Sequence, residues 1–405
     1  MPARLSLTLA LLTGFGALGC APRAQAPLRA IWVTRFDYRV ADDVKRIVER
    51  CADAGFNAIL FQVRGNATAY YESNVEPWSE EFDFKHPGYD PLRLAIDEAH
   101  ARGVELHAWV NVMPAWRGEA PPADPEQVYN KRPEWFWHDQ DGVRQPLVHQ
   151  VGERRRAWYC SLNACLPEVR EYLVEVFRDL AARYDVDGLH MDYIRFPNEA
   201  VVPGEKISDY PRDARTLALY EADTGLAPDD NEDVWNQWRA RQVTRLVGDI
   251  HAMLREARPG AALTAAVTSV PDRAAQRYFQ DARVWMTAGY LDAAILMNYT
   301  ADTRVFEQRI QPWLSVRSDA RLVPGLSFGR MRGMTDAEAA GEGRKQIEIA
   351  RDLTANFCLF SYAALFDSRA EEEQAAQDGG RSSARHALRE VLIPFLKELA
   401  ARDAK

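Results

Sequence analysis

The sequence predicts a (β/α)8 barrel, one large α/β domain with enlarged loops after strands two, three and four. Three observations carry that expectation. From Leu28 onward, short β-rich runs alternate with longer helical patterns, as βαβ units around a parallel sheet require. The alternation repeats eight times over about 370 residues, the length of such a barrel enlarged by insertions. The turn after the first strand, Thr34-Arg35-Phe36-Asp37-Tyr38, holds no glycine, which argues against a doubly wound nucleotide-binding sheet.

The elements follow in order. The first strand spans Ala30 to Asp37, and its helix spans Asp42 to Ala54, capped by Asp42 or Asp43 and stopped at Gly55. The second strand is Asn57 to Arg64, with a helix from Pro91 to Arg102 closed by Gly103. The third is Val104 to Val112, followed by an excursion from Met113 to Cys160. A helix from Pro167 to Tyr184 leads into the fourth strand, within Asp187 to Pro197. From Val234 to Ala257, Trp235, Trp238, Leu246, Ile250 and Met253 recur at helical spacing and belong to the core. Strand five is Ala262 to Val270, then a helix from Ala274 to Ala288, strand six Asp292 to Thr300, and a helix from Thr303 to Val316. Strand seven is Leu322 to Phe328, its helix Thr335 to Leu353, strand eight Asn356 to Leu365, and the last helix Ser383 to Ala400. The acidic stretch from Ala370-Glu-Glu-Glu-Gln374 through Gly379-Gly380 reads as an exposed loop.

Composition narrows the function. An apolar content of 47% supports a sizeable core, and a net charge of −9 without a basic stripe argues against nucleic acid. On average charge, a neutral polymer is a more natural partner than an acidic one, although local arginine clusters such as Arg154-Arg155-Arg156 can override that.

Arg4 precedes an apolar run, Leu5 to Leu18, too short to span a bilayer, which reads as the core of a secretory signal. The run ends Ala17-Leu18-Gly19-Cys20, similar to a bacterial lipoprotein cleavage box with Cys20 lipidated; Ala17 stands where Leu is usual, so ordinary cleavage nearby is the alternative. Residues 1–20 are then a signal, 21–28 a tether and 29–401 the catalytic barrel, in the cell envelope: lipid-anchored, otherwise secreted or periplasmic. Of the remaining cysteines, a pairing of Cys160 with Cys165 stays open. Neither a metal nor a cofactor is expected, since no Cys-x-x-Cys or nearby histidine has ligand spacing.

The fourth strand, Asp187-Gly188-Leu189-His190-Met191-Asp192, delivers a carboxylate to its end. His190 and Asp192 share a face, with Met191 and Tyr193 on the other, and Asp192 lies nearer the C-terminal mouth, where such barrels place their sites. Asp192 is the first catalytic candidate, against a cap or a structural pair with Arg195; His190 is open between substrate contact and support. The other strand ends offer Arg35, Asp37, Gln62, Arg64, His107, Asn111, Arg195, Asn298, Tyr299 and Tyr362. No Ser-His nucleophile stands among them, and the set suits a ligand covered in hydroxyls. Rings in the loops, among them Trp116, Tyr129, Trp135, Trp158 and Tyr159, add stacking surfaces for sugars or pack the loops down. Glycosidic hydrolysis needs two carboxyl groups. Asp37, Glu72, Glu76, Asp272 and Asp302 are possible partners of Asp192, with Glu76 and Asp37 chosen as candidates.

The motifs Arg29-Ala-Ile-Trp-Val-Thr34, Phe61-Gln-Val-Arg64, Glu76-Pro-Trp-Ser79, Gly88-Tyr-Asp-Pro91, His107-Ala-Trp-Val-Asn111, Asp185-Val-Asp-Gly188 through Pro197 and Met297-Asn-Tyr-Thr300 together resemble the bacterial glycosyl-hydrolase-like family 10. That family is distinct from the family 10 xylanases. The resemblance implies an exported TIM-barrel glycosidase, with peptidoglycan glycan strands or another extracellular polysaccharide as substrate and the motif aspartate on Asp192. Two positions depart from the pattern: Thr68, where relatives often have Asp, and Asn163-Ala-Cys-Leu-Pro167, where they tend to read Asn-Pro-Gly-Asn-Pro. Thr68 motivates the alternative of a saccharide-binding lipoprotein that has lost catalysis. A metal-dependent hydrolase using His107, His190 and Asp192 is a third reading, without the His-x-His usual after strand one.

Overall fold

A computed structural model describes residues 26–151, 154–197, 209–331, 333–377 and 385–405. Cys20 and the expected signal lie outside them. Eight parallel strands close into a barrel: β1 (Arg29–Val33), β2 (Ala58–Arg64), β3 (Glu105–Asn111), β4 (Gly188–Asp192), β5 (Ala262–Thr268), β6 (Ala293–Met297), β7 (Arg321–Ser327) and β8 (Phe357–Phe360). β8 pairs with both β7 and β1, which closes the ring.

Period-2 alternation sorts the side chains. Ile31, Val33, Ile59, Phe61, Leu106, Ala108 and Val110 face outward into the layer shared with the helices, whereas Ala30, Trp32, Leu60, Trp109 and Ile295 fill the interior. Trp235 and Trp238 are buried and stack at 5.5 Å on the helix Glu232–Ala257.

Several boundaries differ from the sequence reading. β1 stops at Val33, because Asp37 N–H bonds back to the Thr34 carbonyl at 3.0 Å and turns the chain. β8 stops at Phe360 and gives way to a short helix, Tyr362–Leu365. The helix expected over Ala274 to Ala288 is two, Pro271–Tyr278 and Ala282–Thr287, broken at Phe279 with φ 51°. A further helix, Ala214–Thr224, precedes Glu232–Ala257. The acidic stretch is helical, Arg369–Gln377, tied down by Glu371 accepting from Ser368 and by Glu372 pairing with Arg50, while Gly379 and Gly380 lie outside the described residues. The last helix is His386–Asp403; its Asp403 pairs with Arg29 at 2.5 Å and with Arg351 at 2.5 Å, locking the chain's end to the start of β1.

The excursion after β3 makes two small antiparallel pairs, Pro114–Trp116 with Cys160–Ser161, and Val148–Val151 with Arg154–Ala157. The four cysteines Cys51, Cys160, Cys165 and Cys358 are buried free thiols, so Cys160 and Cys165 are not joined.

Candidate active site

Register builds the barrel interior in layers. His107 on β3 lies opposite Gly188 on β4, Trp109 opposite His190, and Asn111 opposite Asp192 at the mouth. A cavity of about 220 Å³ opens at this end, over a floor of Trp32, Trp109 and Ala266. Asp192 lies in it beside Asn111, Arg35 and Arg195, and is the one carboxylate among its described lining residues.

Asp192 is 7% exposed, and burial pushes its pKa up to about 6; Arg195 and the Tyr193 backbone N–H, which donates to Oδ1 at 2.7 Å, act the other way. The Trp109 indole N–H faces the same carboxylate without closing a hydrogen bond of ordinary geometry. Asn111 Oδ1 likewise has no partner among the described residues. Buried polar groups of this kind are normally satisfied, so their convergence on one cavity marks a ligand site.

Aromatic rings wall the cavity. Tyr299 stacks on Phe360 at 5.3 Å, and Trp32 meets both edge-on. Burial first, then the Asp192 charge, raises the Tyr299 phenol far above its usual range, leaving it a protonated donor. Tyr193 also lines the cavity, although strand alternation points it away: at φ 50° the chain leaves the pleat and turns the ring inward, against the edge of Tyr159 at 5.3 Å. Phe36, in the turn after β1, is 53% exposed at the rim. Sequence reasoning missed Trp32, Trp109, Phe36 and Phe360 as site residues; inward alternation on β1 and β3 was the available signal for the two tryptophans.

Other expected site residues lie elsewhere. His190 is fully buried beneath the cavity, its Nε2 accepting from Trp32 Nε1 at 3.0 Å and its Nδ1 2.8 Å from Thr264 Oγ1. Since indole only donates, Nε2 is the acceptor and Nδ1 carries the proton, and burial holds the ring neutral. His107, one layer deeper, lines a separate cavity of about 730 Å³ at the N-terminal end of the barrel, with Glu105 at 3.4 Å. The set His107, His190 and Asp192 therefore does not converge.

Glu76 does not line the cavity. Its side chain is buried against Arg64, which donates from Nε at 2.8 Å and Nη2 at 2.7 Å, and it accepts from Tyr172 at 2.5 Å. Arg64 Nη1 in turn binds the carbonyls of Asn111 and Val112. The pair thus braces the end of β3 and is sealed from the cavity, the Arg64 and Glu76 side chains being 0% and 1% exposed. Asp37 closes its turn, accepting from Thr34 N–H at 2.6 Å and hydroxyl at 2.9 Å, with burial pushing its pKa up to about 6.

Asn298 donates to the Phe306 carbonyl at 2.8 Å, Trp116 to the Ala120 carbonyl at 2.8 Å, and Tyr362 packs on Phe366 in the outer core. None of the three lines the cavity, because the strand or loop carrying each has already turned away from the barrel interior. Thr68 is fully buried and donates to Glu80 at 2.9 Å; Asn163 is fully buried and donates to Asp213 at 2.9 Å and Thr216 at 2.8 Å. Thr68 is thus locked into loop structure, and Ala164, Cys165 and Leu166, the residues that depart between the shared Asn163 and Pro167, are buried in the core.

A closed barrel with a buried carboxylate and aromatic walls at the C-terminal mouth defines a TIM-barrel protein of glycoside-hydrolase type. The chain belongs to the glycosyl hydrolase-like 10 family, whose model matches residues 27–325. It is 24% identical over 316 residues to glycosyl hydrolase DigH of Escherichia coli strain K12, covering 67% of this chain and 65% of that protein. It is 27% identical over 226 residues to glycosyl hydrolase YngK of Bacillus subtilis strain 168, covering 55% of this chain and 37% of that one. The chain thus spans somewhat less than two thirds of the first relative's length. Among solved structures, the PgaB (BpsB) glycoside hydrolase domain from Bordetella bronchiseptica matches with a TM-score of 0.60 at 16% identity, over 88% of this chain and 100% of that one. The alpha-L-fucosidase isoenzyme 2 from Paenibacillus thiaminolyticus matches with a TM-score of 0.57 at 14% identity, over 93% and 50%. These likenesses establish the fold.

Proposed function

We propose that the protein is an exported glycoside hydrolase that cuts O-glycosidic bonds in a bacterial cell-wall glycan, peptidoglycan strands foremost, or in another extracellular polysaccharide, with Asp192 as nucleophile or base. The observation that carries this reading is a carboxylate with pKa about 6 at the mouth, in a cavity walled by rings and hydrogen-bonding groups. Such walls suit sugar faces and hydroxyls. Family membership supports the reaction class. The signal-like run from Leu5 and Cys20 supports export with a lipid anchor in the envelope.

Purified protein without residues 1–20 is incubated with peptidoglycan glycan strands, with and without peptide stems, and soluble fragments are read by mass spectrometry. Fragments from the wild type and none from Asp192→Asn are expected; fragments from both would remove Asp192 from catalysis. A second reading, a saccharide-binding lipoprotein without turnover, is favoured by one observation: Glu76 and Asp37 are engaged elsewhere, leaving Asp192 as the single carboxylate among the described cavity residues. Retention on the glycan with no fragment at high protein and long incubation would establish it.

A further inference from the structure

The Arg35 guanidinium is a buried cation that forms no ion pair among the described residues. The residue is 3% exposed, and among the described residues no carboxylate lies within ion-pair distance and Nε has no hydrogen-bond partner. Nη2 donates to the Tyr159 hydroxyl at 3.3 Å, and the group lies 4.3 Å over the Phe36 ring. Other buried arginines differ: Arg64 has Glu76 at 2.7 Å, Arg29 has Asp403 at 2.5 Å and Arg239 has Asp209 at 2.7 Å. The nearby Glu80 is itself engaged, accepting from Thr68 at 2.9 Å and Ser79 at 3.2 Å.

A buried cation with no direct ion-pair partner keeps donors unspent, so one held at a cavity wall is placed to meet an anionic group of a ligand. The backbone is shaped around it. A Cβ on Gly65 would lie 2.4 Å from Arg35 Cζ and 2.6 Å from Nη1, so only glycine leaves the guanidinium its place.

We propose that Arg35 binds a carboxylate on the substrate, which is therefore an acidic glycan whose ring lies against Phe36. The guanidinium fork matches a carboxylate in two parallel hydrogen bonds, which a neutral hydroxyl cannot provide. The site so selects against the trend of the acidic surface, whose net charge of −9 disfavours polyanions in general. The inference rests on the saccharide reading but not on catalysis.

Two sources present this chemistry, a uronic acid and the ether-linked lactyl acid of peptidoglycan. Binding is therefore measured with the Asp192→Asn protein, which keeps the cavity and prevents turnover, against polygalacturonate and against peptide-free peptidoglycan strands. Each polymer is used native and with its carboxylates converted to primary amides. At least one native polymer is expected to bind about tenfold tighter than its amide, and the identity of that polymer names the source. Arg35→Gln should abolish the difference, and Gly65→Ala, which displaces the same guanidinium without removing its charge, should reduce it, with thermal melting confirming that each variant is folded. Equal binding of native and amidated forms, no binding to any of the four, or a difference that survives Arg35→Gln would overturn the proposal. Wild-type hydrolysis is scored separately. Carboxylate-dependent binding without fragments would remove the hydrolase and keep the acidic ligand, whereas fragments from amidated strands at the native rate would do the reverse.

Discussion

The Trp32 indole N–H donates to His190 Nε2 at 3.0 Å, one layer below the Asp192 carboxylate. The bond joins β1 to β4 across the barrel and makes the imidazole part of the cavity's floor support. His190→Leu strips a partner from both Trp32 and Thr264, each costing about 1–3 kcal/mol. The expected outcome is a lower urea midpoint with an unchanged KM; a raised KM at full stability would instead place the imidazole on the substrate.

Asp192→Asn is expected to lower kcat about 10²–10⁴-fold. The melting temperature at pH 7 should not fall, because a neutral amide replaces a charge whose ionisation burial already disfavours. Reducing-end release and thermal melting, run side by side, separate the two effects.

Burial sets the pH response of this group. Its folded pKa of about 6 lies above the ordinary carboxylate value of 3.8, so between these values the folded state holds more protons than the unfolded one. Stability from this group is present at acid pH and is lost as pH rises from about 4 to 6, by roughly 3 kcal/mol. Wild-type protein should therefore gain stability relative to Asp192→Asn on going from pH 7 to pH 4, while kcat/KM rises through pH 6 as the reactive anion forms. An acidic limb centred near pH 4 would contradict the assignment.

Glu76→Ala leaves Arg64 buried and unpaired beneath the end of β3. A loss of about 3–5 kcal/mol in stability is expected. The milder Glu76→Gln should retain the wild-type pH profile per folded molecule, as judged by activity normalised to near-ultraviolet circular dichroism.

Phe36→Ala removes a half-exposed ring from the rim. Aromatic stacking at about 0.5–1.5 kcal/mol corresponds to a KM raised roughly two- to tenfold, with the melting temperature unchanged. An unchanged KM in steady-state kinetics would remove the ring from the substrate path.

The residues show where reading along the chain succeeds and where it stops. Alternation puts His190 and Asp192 on one inward face, and both are inward; His107 and Asn111, read as strand-end residues at the mouth, are inward too, but only Asn111 lies at the mouth. It did not place them in depth: His107 is four residues before Asn111 on the same strand and opens at the other end of the barrel. Tyr362 was assigned to a strand because the apolar run continues past Phe360, but a helical turn takes it to the outer core. Glu76 carries no sign in its neighbours that Arg64, twelve residues earlier, folds back to claim it.

The eight-fold alternation, the identity of the inward faces and the position of Asp192 at a strand end were determined by the sequence alone, because each follows from a local period or a local turn. The tertiary structure decided which of those residues share a cavity, which acids are already paired, and that Arg35 forms no ion pair among the described residues. Those outcomes depend on the stagger between neighbouring strands and on loops that cross from one strand end to the next. Asp192 and Arg35 are more than 150 residues apart in sequence and line the same cavity, whereas Glu76, much closer to Arg35 in the chain, is turned into the wall.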